Sequence, residues 1–106
     1  MEGLIQELQG KWVVDCHGVA APMDLIGDQK IITDITGHNV MGGKEWGWFS
    51  IEQVEADVLM LNYADTRNST ILQSVCDYIM PDGAGWFGEF YLAGCPVFTF
   101  NLDRVQ

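Results

Sequence analysis

The chain has 106 residues, room for one domain, and 48% of them are hydrophobic, a content that argues for a packed core and against a disordered chain. Fifteen acidic residues against five basic ones give a net charge of −10, with the acids spread from Glu2 to Asp103. A field of that sign repels phosphate backbones and anionic headgroups, so neither nucleic acid nor a membrane is an expected partner.

In chain order, residues 2–9 suit one or two helical turns with Leu4, Ile5 and Leu8 on one side, and Gly10 ends them. Residues 11–17 alternate with period two, placing Trp12, Val14 and Cys16 on one face and Asp15 and His17 on the other. Residues 18–28, with Pro22 and Gly27, read as a loop. Residues 29–36 read as a second strand, Ile31, Thr33 and Ile35 alternating against Ile32 and Asp34. The stretch Thr36-Gly37-His38-Asn39 predicts a turn, because Gly and Asn tolerate positive φ. Val40 and Met41 make a short strand, and Gly42-Gly43 turns it. Residues 44–51 follow as a strand on which Trp46 and Trp48 share one face and Gly47, Phe49 and Ile51 the other.

Residues 52–57 predict a turn, although Ile51, Val54, Val58 and Leu59 would also fit a helical stripe. Residues 58–63 are a clear strand, 64–69 a polar turn and 70–80 a long strand. Pro81-Asp82-Gly83-Ala84-Gly85 is a turn signal. Residues 86–92 and 97–104 give the last two strands around a turn at 93–96, with Phe98, Phe100 and Leu102 on one face of the final one. About eight short strands with short connections favour antiparallel pairing, in an up-and-down barrel or a two-sheet sandwich. The barrel is the expected all-β form, since closure leaves no unpaired edge on an apolar chain. Residues 1–106 are expected to form that single domain.

The run Leu8-Gln9-Gly10-Lys11-Trp12 sets a short helical lead before G-x-W and an apolar strand. This resembles the first-strand signature of lipocalins and the wider calycin group. Residues 35–40 are similar to the second hairpin of short lipocalin-like domains. Gly88-Glu89-Phe90-Tyr91-Leu92-Ala93-Gly94, followed by the strand that ends at Arg104, resembles their closing hairpin. The resemblance implies that Trp12 packs at the closed end of a barrel with Arg104 laid across it, both in structural roles. It also implies an interior that holds a small ligand or is filled by side chains. The chain departs from secreted lipocalins in its shortness and in lacking a signal peptide, a disulfide pair and a C-terminal helix.

Chemistry-bearing motifs are few. No nucleotide-binding, zinc-protease or nucleophile-elbow pattern occurs, so no catalytic residue, cofactor or metal is expected. Cys16, Cys76 and Cys95 are odd in number and widely spaced without a C-x-x-C pair, which disfavours zinc and suits reduced thiols in the cytoplasm. The opening MEGLIQELQG lacks the form of a signal peptide, and no apolar run reaches the roughly 20 residues of a membrane span. In Asp15-Cys16-His17 strand geometry parts Cys16 from its neighbours, leaving Asp15 and His17 on one face, as surface or rim residues or, in an enzyme reading, as an acid–base dyad beside a pocket. The most informative residues are Trp46, Trp48, Phe49, Trp86, Phe87, Phe90 and Tyr91, whose strands carry aromatics on both faces. One face must fill the core, and the other suits a ligand or a second subunit. The expectation is a non-enzymatic module holding a small apolar ligand in a barrel cavity. The alternative is a self-associating interaction protein, a homodimer for instance, using a spare aromatic face.

Overall fold

The computed structural model describes residues 3–17 and 27–105. A short helix, α1 (Leu4–Glu7), precedes β1 (Gly10–His17), β2 (Gln29–Thr33), β3 (Thr36–Met41), β4 (Lys44–Glu55), β5 (Val58–Asn62), β6 (Val75–Asp82), β7 (Gly85–Leu92) and β8 (Cys95–Arg104). Each strand pairs antiparallel with the next, and β8 closes on β1, so the sheet is a closed eight-stranded barrel. Alternation decides what the wall encloses. Trp12, Val14 and Cys16 of β1, Leu59 and Leu61 of β5, Val75 and Ile79 of β6, and Phe98, Phe100 and Leu102 of β8 are all buried. The expected loop at 18–28 lies almost wholly outside the described residues.

One end of the barrel is shut by α1. Leu8 and Ile5 are buried beneath it. A helix this short leaves its carbonyls without intrahelical partners. Trp12 Nε1 donates to the Leu8 carbonyl at 2.7 Å, and the Arg104 guanidinium donates to the carbonyls of Gln9 at 3.1 Å and Glu7 at 3.3 Å. The same guanidinium lies 4.2 Å from the centre of the Trp12 ring, and Trp86 meets that ring edge-on at 6.5 Å. The two ends of the chain are thus fastened over one indole.

Several boundaries differ from those expected, and β8 begins at Cys95, inside the turn expected at 93–96. The β2–β3 turn falls at Asp34-Ile35, and residues 36–39 belong to β3. Asp34 takes φ 57° there, with its backbone clamped by the Gln9 side-chain amide, which donates at 2.9 Å and accepts at 2.7 Å. Gly37 serves close packing, since a Cβ on it would lie 2.5 Å from the Phe49 ring. Residues 52–55 extend β4, because Glu52 and Gln53 pair with Met60 and Leu59 despite their polar side chains. Residues 70–74 are not strand. Asn68 is buried and its side chain donates to the carbonyls of Trp48 at 2.8 Å and Tyr63 at 2.7 Å while accepting from Trp48 N at 3.0 Å. Tethered this way, the chain makes a 3₁₀ turn at Leu72–Ser74 before β6 begins. Pro81 and Asp82 lengthen β6, leaving the turn at residues 83–84.

The largest correction concerns Trp46 and Trp48, which do not share a face. Between Gly37 opposite Phe49 and Asn39 opposite Trp46, β3 advances two residues and β4 three. The extra residue is a β-bulge at Gly47-Trp48, with Gly47 at φ 61°. Trp46 consequently faces inward with Asn39, while Trp48 lies outside beneath Arg67, whose guanidinium is 4.9 Å from its ring. Arg67 also hydrogen-bonds Asp65 and holds that carboxyl down at about 2.

Candidate functional site

The half of the barrel away from α1 is built differently. Here the inward positions of several strands are polar. Lys30 is in phase with Ile32 on β2, Asn39 with Gly37 on β3, and Asp77 with Val75 and Ile79 on β6. Lys30 Nζ donates to Asn39 Oδ1 at 2.8 Å and to Tyr63 Oη at 2.6 Å, and it stands 3.6 Å from Asp77 Oδ2. Tyr63 Oη in turn donates to Asp77 Oδ2 at 3.0 Å, and Asn39 Nδ2 donates to the Gly47 carbonyl at 2.9 Å. Three rings surround the ammonium, those of Phe49, Tyr63 and Phe100, at 5.3, 5.4 and 5.8 Å. The bulge serves this network, since it turns the Gly47 carbonyl and the Trp46 indole toward it.

Beside the network lies a chamber of about 30 Å³, or about 350 Å³ with its open mouth counted. Polar groups form its floor: Asp28, Lys30, Asn39, Tyr63, Asp77 and the Trp46 indole. Apolar side chains, notably Leu72, Phe90 and Phe98, form the rest, with the Phe90 and Phe98 rings stacked at 4.5 Å. Asp77 Oδ1 and Trp46 Nε1 are buried without a hydrogen-bond partner among the described residues.

Burial governs the electrostatics of this floor, since a low dielectric disfavours charge. It pushes the Lys30 ammonium below its ordinary value, with the Asp77 and Asp28 charges opposing. It pushes the Asp77 carboxyl up, with Lys30 and the Tyr63 hydrogen bond opposing. Tyr63 is raised for the same reason, and Cys16, buried on the chamber wall, is raised to about 11, so it is a thiol at neutral pH. The Asp77 carboxyl and the Lys30 amine therefore share a small space in which burial favours the uncharged form of each.

The aromatic residues singled out in the sequence are divided by the wall. Trp46 and Phe90 line the chamber. Phe49 and Trp86 are core, Phe49 packing on Tyr63 with ring centres 5.3 Å apart. Trp48, Phe87 and Tyr91 lie outside, Tyr91 meeting Tyr78 edge-on at 5.3 Å. Asp15 and His17 are on the outer surface 4.0 Å apart, and His17 Nε2 is 2.8 Å from Asn101 Oδ1, with neither lining the chamber. His38 sits in β3, outside the turn expected for it, with its ring 3.2 Å from Glu45.

The floor residues Lys30, Asn39, Tyr63 and Asp77 escaped the sequence reading. For Lys30, Asn39 and Asp77 the signal was there: a charged or amide side chain at a position with a buried neighbour two residues away. Among the described residues, no group of three or more His, Cys, Asp or Glu is placed to hold a metal ion, and no helix is long and apolar enough to cross a membrane. Comparison with protein-family models, with curated proteins and with solved structures finds no match.

Proposed function

We propose that the protein is a non-enzymatic, lipocalin-like binding module that holds a small, largely apolar molecule at the open end of its barrel. The observation that carries this reading is the chamber itself, apolar in its walls and mouth, with a few convergent polar groups beneath. The Trp12–Arg104 stack at the opposite end supports the lipocalin-like assignment, since the resemblance places that pair at the closed end of the barrel. Three free cysteines, one of them exposed, suit a reducing compartment such as the cytoplasm. The head that reaches the floor must be small, and the apolar body of the ligand sits in the mouth between Leu72, Phe90 and Phe98.

Titration with Nile red, a neutral apolar fluorophore, tests the reading. One molecule bound per chain, with a change in tryptophan emission, is expected. The variant Leu72→Trp, which fills the mouth, should weaken binding at least tenfold. Binding insensitive to that substitution would place the dye elsewhere and defeat the proposal.

The second reading, self-association, draws on the outer face of β6 and β7. Tyr78 and Tyr91 form an edge-on pair there, beside Met80 and Val58 in a shallow surface groove. Light scattering that shows a monomer at every concentration would remove it.

A further inference from the structure

Two atoms at the chamber floor stand out. Buried polar groups almost always have partners, and one left without is destabilising. Asp77 Oδ1 is an acceptor, on a residue only 1% exposed. Trp46 Nε1 is a donor. Both residues line the same chamber. Whatever completes the floor must therefore be able both to donate and to accept.

The charges narrow the choice. An anionic head would meet the Asp28 and Asp77 carboxyls in a space where burial already disfavours charge. An ammonium head can donate but cannot accept from Trp46 Nε1, and it would crowd the Lys30 ammonium. The chamber is also narrow, with about 30 Å³ open to the centre of a water-sized group, so the head that reaches the floor is small. Resting on the binding reading above, we infer that the chamber selects slender molecules ending in a hydroxyl: the oxygen seats on the floor against Asp77 and Trp46, and the apolar body lies in the mouth between Leu72, Phe90 and Phe98. The hydroxyl also suits Asp77 in either protonation state, donating to a carboxylate or accepting from a carboxylic acid.

The test compares heads on one body: hexane, hexanol, hexylamine and hexanoate, measured by displacement of Nile red and by the Trp46 indole N–H resonance. Hexanol should bind at least tenfold more tightly than each of the others and shift that resonance. Trp46→Phe removes the donor and Asp77→Leu the acceptor, and each should close most of the gap between hexanol and hexane. Should Asp77→Leu fail to fold, Trp46→Phe alone carries the comparison. Equal binding of hexane and hexanol, or tighter binding of hexylamine, overturns the inference while leaving the binding reading intact; it would mean that the floor is completed by water alone or selects a cation. Loss of the Leu72→Trp effect on Nile red defeats the binding reading instead, so the two failures are distinguishable.

Discussion

Asp77 is the residue on which most of the interior turns. It accepts from Tyr63, faces Lys30, and presents its second oxygen to the chamber. Burial raises its pKa, so the folded protein holds this proton more tightly than the unfolded chain does. The stability that follows is fully present below the ordinary carboxylate range. It is lost as pH rises from that range through the raised value in the folded state. Chemical denaturation of wild type and Asp77→Asn across this window should give a stability difference that shifts against wild type as pH rises. A flat difference would mean that Asp77 titrates as an ordinary carboxyl. The sequence held part of this residue's role. Asp77 lies between Val75 and Ile79 in a strand, which places it inward by alternation. Its partners are 47 positions back at Lys30 and 14 back at Tyr63, and nothing in the sequence pairs them.

At the scale of the element, β4 shows how one extra residue redirects a strand. A uniform alternation puts Trp46 and Trp48 together, and the bulge at Gly47-Trp48 separates them across the wall. Gly47 permits this through φ 61°, and a Cβ there would stand 2.6 Å from Asn39 Nδ2. Gly47→Ala should therefore cost about 1–3 kcal/mol, from strain in the left-handed region and from displacing Asn39. The midpoint of urea unfolding measures it, and an unchanged midpoint would mean that the bulge does not depend on this glycine. The bulge escaped the sequence reading because Gly47 is flanked by tryptophans that fit a regular strand equally well. The long turn before β6 escaped for a similar reason. Residues 70–74 alternate acceptably, but Asn68 ties the chain to Trp48 and Tyr63 and so delays the strand.

The whole molecule is an acidic shell around an aromatic interior. Ten excess negative charges repel one another over a barrel with a radius of gyration of 12.6 Å, comparable with the Debye length of about 8 Å at physiological salt. Raising ionic strength from a few millimolar to the physiological range should therefore raise the melting temperature. A fall would mean that favourable pairs such as Arg67–Asp65 outweigh the general repulsion. The sequence by itself determined the strand-rich, antiparallel chain order and the sets of residues that share a face on β1 and β8. Those properties follow from a two-residue period and short connections, which are local. Tertiary structure alone decided which tryptophan faces the chamber, where the turn before β6 ends, and that Lys30, Tyr63 and Asp77 meet. A bulge shifts register against a partner strand, and a buried polar cluster forms only when the closing barrel brings distant inward positions to one depth.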